Sequence, residues 1–193
     1  MFQEDSYQVV KGVIPGKTCS AVAKSISFLQ QKGLLKYGDP QVEKAYSAYG
    51  IPVTERLLQS LCPAFSKITD SRLCPTYSYM RVYLRGATLR KHVDRPSCEI
   101  SVTLAIDADS PTIWPIFIEA KGKTIGVELE PGDALIYEGH NLPHWRDSFD
   151  GERQIQVFLH YVREDGPYKE FKFDERSGVG MTPLMDNQLP ADS

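Results

Sequence analysis

The sequence is short of several things, and each shortage argues against a class of function. No uninterrupted apolar run approaches the roughly 20 residues that a helix needs to cross a bilayer, so no membrane partner is expected. Cations are in the minority: 22 Lys and Arg stand against 25 Asp and Glu, a formal net charge of −3. A nucleic-acid surface normally needs a basic face, so no nucleic-acid partner is expected either. Cysteine is scarce and scattered: Cys19, Cys62, Cys74 and Cys98 include no CxxC pair. Their spacing is poor for zinc, and they read as free, mostly buried thiols. Internal repeats and low-complexity tracts are absent. The opening MFQEDSYQVV carries acidic residues where a secretory leader would carry basic ones. Cytoplasmic residence is the resulting expectation.

What is present suits one folded unit. The 193 residues, 41% hydrophobic and 24% charged, allow a single domain with a full core. A helical N-terminal part is expected over about 1–70. In TCSAVAKSISFLQQKG, Val22, Ile26 and Leu29 recur at helical intervals, with Thr18 as N-cap and Gly33 as the stop. Residues 36–51, rich in Tyr, Gly and Pro, read as a long connection. TERLLQSLCPAFSKI gathers Leu57, Leu58, Leu61 and Phe65 on one side, and Pro63 should kink or end that helix.

From Thr76 the period changes to two. YSYMRVYL, ISVTLAI, TIWPIFIEA, TIGVELE, DALIYEG and RQIQVFLHYV are short runs rich in β-branched and aromatic residues, punctuated by Gly and Pro. Helices followed by a series of short strands predict a mainly β fold. Its form is a jelly-roll or cupin-like core over about 76–163, with the N-terminal helices packed outside. The tail, about 174–193, is poor in large apolar residues and reads as a mobile or loosely docked extension.

Two anomalies stand out in the β part. His92 and Asp94 share strand parity, so both side chains can reach one face. Alone, such a pair is more often an exposed turn with a His–Asp hydrogen bond than a metal site. Further on, a loop after DALIYEG carries His140 and His144, and a last strand follows. There Arg153, Ile155, Val157, Leu159 and Tyr161 share one face while Gln154, Gln156 and His160 share the other. This is the pattern of a half-exposed strand with its apolar side inward. Arg153 is then expected inside, where an arginine is rare unless it meets an anion such as a carboxylate. Two imidazoles and one carboxylate on one side of a metal make the facial triad of non-haem iron(II) oxygenases.

Three pieces, HVD, then PGDALIYEG, then HWRDSFDGER, carry a resemblance. Together they resemble the prolyl-hydroxylase-like branch of the iron(II)- and 2-oxoglutarate-dependent dioxygenases, over roughly Tyr77 to Val162. The resemblance implies iron(II) held by His92, Asp94 and His144, and 2-oxoglutarate as cosubstrate with its distal carboxylate on Arg153. It implies Tyr83 as a further cosubstrate contact, Thr103 as a lining residue of the same pocket, and ascorbate as an additional cofactor candidate. His140 competes with His144, but its thirteen-residue separation from Arg153 exceeds the nine or ten of the family pattern. The serine that many relatives carry two positions after the basic residue is replaced by Ile155.

The implied reaction is an oxygen-dependent hydroxylation of an unactivated C–H bond, releasing succinate and carbon dioxide. The substrate expected is a small molecule or peptide, with a prolyl residue or a free amino acid foremost. No residue fixes that substrate or the oligomeric state. Two rivals stand beside this reading: a non-catalytic cupin-like binding protein, and a zinc hydrolase using the same three ligands and a water. Trp145 is expected to pack at the barrel rim, and Trp114 to cover an edge strand or line a substrate mouth. Arg95 and Glu99 are expected to steer substrate, or to pair with each other or with the tail. Residues 36–51 and the tail are the candidate lids.

Overall fold

The computed structural model describes residues 2–180. After a short helix α1 (Phe2–Asp5) and strand β1 (Tyr7–Val10), helix α2 spans Gly16–Gln31. It starts two residues before Thr18, because the Pro15 carbonyl already accepts from the Thr18 and Cys19 amides. Pro15 itself is extended and takes the capping place expected of Thr18. The stop falls as expected: Gly33 adopts a left-handed φ of +69° that few other residues adopt cheaply.

Residues 36–51 are not a plain connection. They hold β2 (Lys36–Tyr37) and β3 (Ala45–Tyr49), which widen the larger sheet. Their short, Tyr- and Ser-bearing sequences are easily mistaken for loop composition. Helix α3 then runs Pro52–Ile68 straight through Pro63. Leu57 and Leu58 before the proline and Phe65 after it are buried in one core. That packing offsets the single amide hydrogen bond the proline forfeits.

The remaining strands are β4 (Leu73–Leu84), β5 (Leu89–His92), β6 (Ile100–Asp109), β7 (Ile116–Ala120), β8 (Lys123–Val127), β9 (Ala134–Tyr137), β10 (His144–Arg146) and β11 (Arg153–Arg163). They form a seven-stranded sheet in the order β1-β9-β6-β11-β4-β3-β2 and a four-stranded sheet in the order β5-β10-β7-β8. All pairings are antiparallel. The mainly β, jelly-roll arrangement with helices outside matches the fold expected from the sequence.

The two faces of the large sheet have opposite chemistry. Met80 and Val82 of β4, Val102 and Leu104 of β6, and Ile155, Val157 and Leu159 of β11 pack with Val22 and Ile26 of α2 and Leu58 and Phe65 of α3. This is the main apolar core, and it lies under the helices. The opposite face looks into the space between the sheets and carries Tyr79, Arg81 and Tyr83, Ser101 and Thr103, and Gln154, Gln156 and His160, all buried. The polar side of β11, expected at the surface, is therefore also inside.

The segment after β11 is docked up to the last described residue. Arg176 is buried and reaches Glu55 at 2.9 Å and the Thr76 carbonyl at 2.6 Å, while the Gly180 amide donates to the same carboxylate. The expectation of a loose tail is corrected for 174–180. Its remaining part, 181–193, lies outside the described residues.

Candidate metal centre

His92 ends β5 and stands directly across from His144 of β10. Opposite residues of an antiparallel pair place their side chains together on one face. Here the two rings lie 4.3 Å apart, centroid to centroid. Asp94 follows two residues after His92, its amide donating to the Gly139 carbonyl at 2.9 Å. Its Oδ1 lies 3.6 Å from His92 Nε2 and 3.5 Å from His144 Nε2. One donor atom from each of the three falls within 4.8 Å of the others, a set able to hold one metal ion.

The surrounding bonds aim these donors. His92 Nδ1 donates to the Arg90 carbonyl at 2.8 Å, and His144 Nδ1 to the Leu142 carbonyl at 2.9 Å. With the proton on Nδ1, each Nε2 keeps its lone pair toward the centre. The Ser101 hydroxyl donates to Asp94 Oδ2 at 2.7 Å, which leaves Oδ1 for a metal. That proton being spent, His160 Nδ1, 3.0 Å away, donates to Ser101.

Charge follows the same logic. Burial lowers the His92 pKa, and the neighbouring His144 lowers it further. For Asp94, burial acts upward but is outweighed by His144 and the Ser101 bond, so its carboxyl stays well below the usual range. His144 is raised because Asp94 outweighs its burial. Burial pushes His160 down to about 4, so it is neutral at physiological pH. A second group, Asp94, Cys98 and His160, shares the same carboxylate. The Cys98 thiol there is fully protonated, its pKa pushed up by burial, and it meets the Tyr77 hydroxyl at 3.1 Å. Such a thiol is a poor ligand.

Of the other residues singled out in the sequence, Tyr83 and Thr103 face the space between the sheets, whereas His140 and Arg153 do not join the group. His140 turns away, its Nδ1 donating to the Glu99 carbonyl and its ring packing edge-on against Tyr168. Tyr83 and Thr103 are buried on the inner face of the large sheet. Arg153 lies farther off, on the opposite face of the sheet. Its side chain is 35% exposed on the helix side of β11, pairing with Asp107 and donating to Ser27 of α2 at 3.2 Å. The reason is the two-sided burial of β11: the apolar face that Arg153 shares meets the helices, not the space between the sheets. Trp145 stacks on Phe117 with Lys91 over its ring, while Trp114 is buried against Tyr83 and Phe149. Arg95 pairs with Asp174 of the tail, and Glu99 with Arg163.

Sequence reasoning passed over Ser101, Gln156 and Arg146. Arg146 carried the clearest signal, since it shares strand parity with His144 in HWR. It is buried under the Trp114 ring, with Nη1 donating to the Trp114 carbonyl at 2.6 Å.

No protein-family model and no curated protein matches the sequence. Solved structures do match. A prolyl-4-hydroxylase from Pseudomonas putida superposes with a TM-score of 0.69 at 14% identity, over 84% of this chain and 95% of its own. This chain has the fold of that enzyme. A prolyl hydroxylase from Trichoplax adhaerens, solved with a peptide of hypoxia inducible factor, gives 0.71 at 13% identity over 91% and 90%. HygX from Streptomyces hygroscopicus, solved with nickel, 2-oxoglutarate and hygromycin B, gives 0.69 at 13% over 85% of each chain. No helix among the described residues is long and apolar enough to cross a membrane.

Proposed function

We propose that this chain is an iron(II)- and 2-oxoglutarate-dependent oxygenase that hydroxylates an unactivated C–H bond. One observation carries the reading: His92 Nε2, His144 Nε2 and Asp94 Oδ1 converge, each with its other polar atom already occupied. Two imidazoles and one carboxylate suit a ferrous ion, which His92, Asp94 and His144 would hold. When bound, iron and 2-oxoglutarate supply the oxygen activation and yield succinate and carbon dioxide.

The chain's own residues position, shield and hold charge. The two backbone carbonyls fix the imidazole tautomers, and Ser101 with His160 orients the carboxylate. Tyr137, buried edge-on to His144, covers that side of the group and keeps water from it. The neighbours include enzymes named for prolyl hydroxylation, which supports a prolyl residue in a peptide, or a free amino acid, as substrate. HygX, holding hygromycin B on the same fold, supports the wider class of small molecules or peptides.

The test is succinate release with iron(II), 2-oxoglutarate and dioxygen, screened over proline peptides and free amino acids. Succinate above the substrate-free rate, lost in Asp94→Ala, is the expected result. Activity that survives removal of oxygen and requires zinc would replace this reading with a hydrolase. Metal uptake with no turnover of 2-oxoglutarate, with or without substrate, would leave a binding protein.

A further inference from the structure

The space between the sheets holds a buried cation without a counter-ion among the described residues. Three arginines are buried among the described residues: Arg81, Arg146 and Arg176. Arg81 pairs with Asp39 at 2.9 Å and Arg176 with Glu55 at 2.9 Å. Arg146, 2% exposed, meets no carboxylate among the described residues. A guanidinium left so is costly unless an anion comes to it.

The groups around Arg146 are also waiting for a partner. Buried side-chain atoms without a hydrogen bond include Arg146 Nε, the Tyr83 hydroxyl and Gln156 Nε2. Tyr83 and Gln156 are both 0% exposed. Arg146 and Tyr83 pack on the same Trp114 ring, at 4.7 and 5.0 Å. Gln156 stands diagonally across from Tyr83, since their register partners are Arg81 and Gln154 on the paired strands β4 and β11. Its Oε1 accepts from Thr103 at 3.3 Å, which turns its amide N–H groups away from Thr103. Three unused donors, one of them charged, are the complement of a carboxylate.

We infer that Arg146, with Tyr83 and Gln156, anchors the distal carboxylate of 2-oxoglutarate, and that Arg153 does not. The inference rests on the oxygenase reading above. Arg146 and His144 lie two residues apart on β10 with the same parity, so one short strand supplies both a metal ligand and the anchor. Their separation along the strand is roughly 6.7 Å, comparable to the length of a five-carbon dicarboxylate. Arg153 lies on the other face, with its own carboxylate partner.

The experiment is calorimetric titration of 2-oxoglutarate into the full chain loaded with Ni(II), with Ni(II) affinity measured separately for each variant. Arg146→Gln is expected to weaken 2-oxoglutarate about a hundredfold while leaving Ni(II) affinity unchanged. Tyr83→Phe, which removes only a hydroxyl, is expected to weaken it about tenfold and keeps the test open if Arg146→Gln misfolds. Arg153→Gln is expected to bind like the parent. Loss of binding in Arg153→Gln, with Arg146→Gln or Tyr83→Phe unaffected, overturns the assignment. A parent chain that takes up Ni(II) but shows no heat with 2-oxoglutarate overturns the oxygenase reading itself, a result distinct from the first.

Discussion

Gly139→Ala is the substitution whose outcome depends most on the metal centre being built as described. Gly139 has no left-handed backbone that demands glycine, so only space is at issue. A Cβ there would stand 2.9 Å from the Cys98 carbonyl oxygen, and closer still to Asp94 Oδ2 and the Ser101 hydroxyl. Ordinary carbon contacts begin near 3.5 Å. The carboxylate must therefore retreat by more than about 0.5 Å, the tolerance within which such a constellation works. The Gly139 backbone cannot simply yield, because its carbonyl holds the Asp94 amide. Crowding of this kind costs about 1–3 kcal/mol, a fall in Tm of roughly 2–12 °C for a chain of this size. Metal affinity should drop by about 10- to 100-fold. Competition titration with Ni(II) and a chelating dye, together with thermal melts, reads both. Parental metal affinity and Tm in Gly139→Ala would refute the placement of Asp94.

Other substitutions probe separate parts of the account. Ser101→Ala should weaken metal binding by about tenfold with little loss of stability, measured by the same competition, since it frees Asp94 Oδ2 without moving the strand. Arg176→Gln should destabilise the chain by about 3 kcal/mol in urea unfolding and speed proteolysis near 170–180, because it leaves Glu55 buried with a weaker partner set. Asp133 gives a pH test. Burial alone would raise its carboxyl, but the Lys11 ion pair and the Gly12 and Glu130 amides outweigh that and lower it beneath the ordinary 3.8. Its folded form thus favours the charged state, so its contribution to stability is present above 3.8 and is lost as pH falls through the lower folded value. Urea unfolding should separate the parent from Asp133→Asn at pH 6, and the two curves should draw together as pH falls below 3.8.

The three residues that could hold a metal, His92, Asp94 and His144, are legible in the sequence because they obey short-range rules. The HxD spacing at the end of a strand places two side chains on one face, and the distal histidine falls in a recognisable string. The strands from Thr76 onward, and the helices before them, also announced themselves by period. Arg153 shows where that logic stopped. Alternation along β11 separates the residues into two sets, but it does not say which set faces the helices and which faces the second sheet. The helices outside the sheet cover the apolar set, which leaves the polar set facing the second sheet. Gln154, Gln156 and His160 looked like solvent-facing residues for the same reason. Arg146 was readable by parity with His144, yet nothing local shows that it lacks a counter-ion. That depends on every strand around it. Residues 36–51 do not read as strands because an edge strand of two residues and its neighbour of five carry too little period to register.

Anaerobic Fe(II) titration, monitored by the visible absorption that develops on adding 2-oxoglutarate, tests the metal centre most directly. The account predicts saturation at one Fe(II) per chain, with the band abolished in His92→Ala, Asp94→Ala and His144→Ala and retained in His140→Ala. A band that survives His144→Ala and disappears in His140→Ala would contradict it.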